Sequence, residues 1–124
     1  MEGGTFVIEQ LPLTKQLDYV FREIRDELKQ LPSGTVFVQI RNNVIGKFGI
    51  KHNPLESRDG CMQLEAGLTE EQVKAFRKLA LDSLSYKINW THGEIFYEFA
   101  VRKSNFSASV QFESNYNLAT VLSR

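Results

Sequence analysis

The residues best equipped for nucleophilic or acid–base work are one cysteine, Cys61, and two histidines, His52 and His92. A thiol beside an imidazole can become a nucleophile, and Cys61 with His52 is a pair that the chain allows. "CMQLEA" around the cysteine reads as a strand, with no helix N-terminus to lower the thiol pKa, and nothing nearby orients the histidine. Cys61 is therefore expected as a small buried strand residue, and His92 as a polar residue of a hairpin turn. Zinc requires His or Cys ligands at short spacings, and no such cluster occurs. Glu70 and Glu71 in "LTEEQ" are accounted for by helix capping. Neither a phosphate-loop pattern, nor G-x-G-x-x-G, nor G-x-S-x-G is present. The expectation is a non-enzymatic chain with no catalytic residue, metal ligand or cofactor.

Binding chemistry is better represented. "IRNNVIGKFGI", Ile40 to Ile50, sets Arg41 and Lys47 among apolar residues and two glycines, Gly46 and Gly49. Missing side chains let a flat ligand or another backbone approach a strand closely. "KHNPLESRDG" follows with Lys51, His52, Asn53 and Arg58, and Arg102 with Lys103 forms a second basic spot. Cations hold phosphate, rings stack on bases, and amides read hydroxyls. The candidate clamps are Arg41, Lys47, Arg58, Arg102 and Lys103. Phe37, Phe48 and Phe106 are candidate platforms, and Asn42, Asn89 and Asn105 candidate polar readers.

These residues must be carried by strands. "TVFVQI", Asn42-Asn43 and "VIGKFGI" read as a tight hairpin, because Asn tolerates the left-handed conformation of a two-residue turn. Pairing Arg41 with Val44 places Val36, Val38, Ile40 and Ile45 on a core face. The other face then holds Phe37, Gln39, Arg41, Val44, Gly46, Phe48 and Ile50, which suits a ligand platform or a subunit contact. An alternative function follows: an interaction module or inhibitor that presents Phe37, Val44, Phe48 and Ile50 to a partner protein.

Two helices complete the scaffold. Leu17, Val20, Phe21, Ile24, Leu28 and Leu31 form an amphipathic stripe, with Thr14 as first-turn cap and "LPSG" as the stop. "TEEQ", Thr69 to Gln72, is a capping box that opens a second helix burying Val73, Phe76, Ala80 and Leu84. "YKINWT", His92-Gly93 and "EIFYEFAV" read as a second hairpin, with Lys87 opposite Glu98. A further strand after "KSN" would make a C-terminal three-stranded meander, and "TFVIEQ" and "CMQLEA" supply one strand to each half. The expected fold is α+β: two β-α-β-β-like units forming an antiparallel sheet with two helices.

The chain has 124 residues, which predicts a single domain over 1–124. Such a length buries roughly 65% of the unfolded surface, enough for a core. Lys plus Arg equals Asp plus Glu, 15 each. Zero net charge disfavours duplex nucleic acid as a partner but permits a small anionic ligand and homo-oligomers. "MEGGTFVIEQ" is not patterned as a signal peptide, no stretch is long enough for a membrane span, and one lone cysteine fits a reducing cytoplasm.

In size, element order and the character of "IRNNVIGKFGI", the chain resembles the Thoeris anti-defence proteins of phages, the first type described. The resemblance implies a non-enzymatic sponge in the host cytoplasm. It would sequester cyclic ADP-ribose isomers made by bacterial TIR-domain proteins, or cyclic oligonucleotides. It also implies a homo-oligomer with ligand pockets near subunit contacts.

Overall fold

The computed structural model describes residues 11–55, 57–62, 66–87 and 89–123. The strand expected in "TFVIEQ", residues 63–65 of the strand expected in "CMQLEA", and Ile88 lie outside the described residues. Helix α1 spans Leu13–Leu28, strand β1 Ser33–Arg41 and strand β2 Val44–His52. Short strands β3, Ser57–Arg58, and β4, Cys61–Met62, pair with each other. Helix α2, Glu70–Ser83, runs on into a 3-10 turn over Leu84–Tyr86. Strands β5, His92–Arg102, and β6, Asn105–Ser114, and helix α3, Leu118–Ser123, complete the chain. The fold is α+β, with an open four-stranded antiparallel sheet in the order β2-β1-β5-β6.

Alternation in the strands and the helical stripes of three and four residues build one core between sheet and helices. Leu17, Val20, Phe21, Ile24 and Leu28 of α1 are buried against Val36, Val38 and Ile40 of β1 and Ile95, Tyr97 and Phe99 of β5. Helix α2 adds Val73, Phe76 and Ala80. Its capping box is formed as expected: Gln72 N donates to Thr69 Oγ1 at 3.2 Å, and Thr69 N donates to Gln72 Oε1 at 2.9 Å. Helix α1 differs, because its N-cap is Pro12 and no side chain caps it, so Thr14 does not play that part.

The two halves share a pattern. Leu17, Val20, Ile24 and Leu28 recur at the same spacing as Val73, Phe76, Ala80 and Leu84, all buried. Each helix leads to a hairpin closed by two residues of positive φ: Asn42 and Asn43 (52° and 61°), then Lys103 and Ser104 (50° and 68°). Both turns therefore have the twist that two-residue hairpins favour.

The second half requires a correction. The described residues of "YKINWT" form no strand: Leu84–Tyr86 prolongs α2, and Tyr86 is exposed. β5 does lie between two antiparallel neighbours, but these are β1 and β6. The cause is the central β1–β5 ladder, in register from Ser33 opposite Ala100 to Arg41 opposite His92. Period-two alternation fits a distant partner as well as an adjacent one. Lys87 consequently does not face Glu98, and its Nζ lies 5.2 Å from the Trp90 ring centroid instead. His92 opens β5 and does not form a turn.

Tyr97 is fully buried, with its hydroxyl 3.2 Å from Ser83 Oγ, and burial pushes its pKa up to about 12. The unfolded chain releases that proton near pH 10. Stability from Tyr97 is thus complete below pH 10 and is lost as pH rises through about 12. Denaturant titrations at pH 8 to 11.5 should show this fall, and Tyr97→Phe should flatten it. An equal fall in the variant would exclude Tyr97 as its source.

Candidate functional site

Both long helices cover one sheet face and leave the other bare. The bare face is read from the strand registers in rows of side chains. One row carries Gly49, Phe37, Phe96 and Gln111, so Phe37 and Phe96 are cross-strand partners on the central strands. A second row carries Lys51, Thr35, Glu98 and Ser109. A third runs across Gln39, Glu94 and Glu113, with Lys47 bulging opposite Gln39. The Lys47 ammonium lies 5.9 Å from the Phe37 ring centroid and the Lys51 ammonium 5.7 Å from that of Phe96. Each ring therefore has its own lysine within cation–π reach. Gly49 leaves room for the Phe37 ring: a Cβ there would meet the ring at 3.0 Å.

The face has an electrostatic direction. Lys47 and Lys51 stand on the β2 side, with Arg41 at the end of β1, while Glu94, Glu98 and Glu113 lie on β5 and β6. An anion is drawn to the first half and repelled from the second. Arg41, Lys47 and Lys51 make no ion pair with the described residues. The helical layer is the opposite. Arg25 and Lys29 both hold Glu70, at 2.6 and 2.8 Å, and Arg77 holds Asp18 at 2.6 Å. Hydrogen bonds from Lys29 and Arg25 lower the Glu70 pKa to about 2, and the Arg77 hydrogen bond lowers that of Asp18. Cations free to take a ligand's phosphate are thus on the sheet, not on these helix positions.

At the Asn42-Asn43 end, a shallow depression of about 710 Å³ lies among Gln39, Arg41, Asn42, Lys47, His92 and Asn115, with Glu94 on its wall. Its rim is braced. Buried Gln16 of α1 accepts from Ile45 N at 2.7 Å and donates to Asn43 O at 3.0 Å and Leu11 O at 3.1 Å. Asn42 N and Asn43 N donate to Thr91 O and Trp90 O, each at 2.7 Å, and Trp90 N donates back to Asn43 Oδ1 at 3.0 Å. The turn is therefore tied to α1 on one side and to the approach to β5 on the other. That fixes Arg41 and Asn42 on a rigid support.

The structure divides the residues expected to bind. Arg41, Asn42 and Lys47 are brought together around one depression, and Lys47 also reaches the Phe37 ring. Asn89 is exposed just before the Trp90–Thr91 segment that holds the turn. Arg102, Lys103 and Asn105 occupy the second hairpin turn, ten residues along β5 from His92, or roughly 33 Å at the rise of a strand. Phe106 is turned to the helices and packs on Phe76, with ring centroids 5.7 Å apart, so it is no platform. Arg58 belongs to the small β3–β4 ribbon, and its side chain lies outside the described residues.

Phe48 and Ile50 require a further correction. A β-bulge falls between the Ile40–Ile45 and Val38–Phe48 pairs, where Gly46 and Lys47 together oppose Gln39. The extra residue reverses the alternation beyond it. Phe48 and Ile50 thus pair with buried Val38 and Val36 on the helix side. Phe37, Val44, Phe48 and Ile50 do not share a face. The bulge instead sends Lys47 over Phe37. Lys51 and Phe96 were legible as residue types, but their meeting depends on the long-range β1–β5 ladder.

Cys61 is exposed in the two-stranded ribbon, contrary to the expected burial. His52 lies on the helix side, its Nε2 2.6 Å from Glu27 Oε2. Among the described residues no three of His, Cys, Asp and Glu converge as metal ligands, and no helix is long and apolar enough to cross a membrane. No family model, curated protein or solved structure matches the chain.

Proposed function

We propose that the protein binds a small anionic nucleotide on its bare sheet face and does not transform it. The observation that carries this reading is the cross-strand pair Phe37 and Phe96, each ring within cation–π reach of a lysine. A base would stack on a ring, and the phosphates would lie over Lys47 on the side toward Arg41. The acidic β5–β6 half speaks against a long polyanion, which would have to cross it. A compact ligand with its phosphates at one side suits the gradient. Cyclic ADP-ribose isomers meet that description, and cyclic oligonucleotides of two or three units extend it. The biological role would then be that of a sponge that withholds an immune signal from its effector in anti-phage defence, as the resemblance implies. The rival reading, an apolar docking face for a partner protein, loses support from the bulge that separates Phe48 and Ile50 from Phe37.

Thermal unfolding with a panel of cyclic ADP-ribose isomers, cyclic dinucleotides and ADP tests the reading. Ligand at about 100 times its dissociation constant adds roughly 2.7 kcal/mol of stability, and it should be recovered chemically unchanged after heating. Arg41→Ala should weaken binding about tenfold, near 1.4 kcal/mol, with the melting temperature of the free protein unchanged. A panel without any stabilising member would sink the proposal. Recovery of a converted ligand would replace the sponge with an enzyme.

A further inference from the structure

Trp90 is 1% exposed, and its indole N–H is a buried donor without a hydrogen-bond partner among the described residues. Buried polar groups are nearly always paired, so such a donor marks a place for a water or a ligand atom. The ring's neighbours give its direction. Phe112 packs on it with centroids 5.6 Å apart, and a Cβ on Gly93 would meet its Cζ3 and Cε3 at 2.9 and 3.0 Å. Those carbons form the ring edge opposite Nε1, so the N–H edge is turned away from Gly93 of β5. Trp90 also lines an open cavity of about 690 Å³ between the start of α1 and the end of α2.

The cavity suits a single negative charge with an apolar body. Leu11, Leu13, Leu81 and Leu84 supply apolar walls. The Lys87 ammonium lies 5.2 Å from the Trp90 ring centroid and makes no ion pair among the described residues. Helix α1 begins at the cavity with neither a side-chain cap nor an acidic residue in its first turn. Pro12 O accepts from Lys15 N and Gln16 N at 3.0 and 3.2 Å, and among the described residues the Leu13 and Thr14 N–H groups are left for another acceptor. The start of a 16-residue helix carries partial positive charge. Asp82 lines the cavity too, but Lys78 already holds it at 2.8 Å. Lys87 is the one lysine or arginine among the described lining residues, too few cations for the several charges of a nucleotide.

We infer that this cavity binds a small carboxylic acid with a branched or aromatic hydrocarbon body. The carboxylate lies among the α1 start, Lys87 and the Trp90 N–H, and the hydrocarbon lies against the leucines. The site is on the helix-covered side of the sheet and does not rest on the nucleotide reading.

Trp90 is the only tryptophan of the chain, so its indole N–H gives a single nuclear magnetic resonance signal that reports on the site. The full chain is titrated with 4-methylvalerate, with phenylacetate, and with 4-methylvaleramide, which keeps the hydrocarbon body without the charge. Either acid should move the indole N–H signal downfield to saturation, with a dissociation constant at or below about 1 mM. The Leu13 and Thr14 amides should shift with it, and the uncharged amide should bind at least about tenfold more weakly. Lys87 is half-buried and outside the core, so Lys87→Ala should keep the fold but weaken 4-methylvalerate about tenfold, and Lys87→Arg should restore most of the affinity. An indole signal unmoved by both acids at about 10 mM would overturn the inference and leave the N–H to water. Equal binding of 4-methylvalerate and its amide would reject the carboxylate. A response to ADP in place of the acids would likewise reject the ligand class.

Discussion

Phe76→Ala should cost about 3–5 kcal/mol, the range for removing a fully buried ring. Phe76 has no exposed surface and stands where four rings meet. Its centroid lies 5.3 Å from Phe21, 6.4 Å from Tyr97, 5.1 Å from Phe99 and 5.7 Å from Phe106. These join α1 and both strands of the second hairpin to α2, and the Phe21 contact is edge-to-face at 87°. Such geometry adds about 0.5–1.5 kcal/mol beyond simple burial. No neighbour can collapse into the gap without breaking another ring contact, so a cavity should persist. A domain of this size has about 5–15 kcal/mol in all, and the variant should melt on the order of 10–20 °C lower. Urea titration measures the loss. A cost under about 1 kcal/mol would mean that the cluster is not the centre of the core.

Gln16→Ala should cost about 2–4 kcal/mol, which is large for a polar residue. Gln16 is 3% exposed and satisfies Ile45 N–H, Asn43 C=O and Leu11 C=O with one amide. Truncation leaves the Ile45 N–H and the Asn43 carbonyl without their partner, each worth about 1–3 kcal/mol when buried. The effect reaches the site, because these bonds hold the turn that presents Arg41 and Asn42. Hydrogen exchange at the Ile45 amide should accelerate in step with the loss of stability, and affinity for nucleotide should fall although Gln16 touches no ligand. Gln16→Glu keeps the acceptor for Ile45 but loses the donor, so it should not rescue. Unchanged exchange at Ile45 would show that the turn stands without the brace.

The sequence made the helices and the first hairpin legible because their signals are local. The capping box at Thr69 and Gln72, the apolar stripe of α1 and the Asn42-Asn43 turn each act within a few residues. What escaped depends on distant partners or on one inserted residue. Alternation placed Tyr86 to Thr91 beside β5, but that edge is filled by β1, more than fifty residues earlier. The bulge at Gly46 and Lys47 moved Phe48 and Ile50 to the helix side. In hindsight the strand glycine at Gly46 was its visible sign. The candidate site was legible as a set of residue types, Arg41, Asn42, Lys47 and Phe37. Its centre, the Phe37–Phe96 pair, was not, because it forms only when β1 and β5 meet.

The central claim is that this bare face holds the nucleotide. The most direct test is a titration of the isotope-labelled protein with cyclic ADP-ribose and with ADP, followed by amide and aromatic nuclear magnetic resonance signals. The account predicts that the Phe37 and Phe96 ring signals move upfield under a stacked base. Amides of Gln39, Arg41, Asn42 and Lys47 should shift with them, while those of α1 and α2 stay still. Shifts confined to the helical layer, or no shift at millimolar ligand, would contradict it.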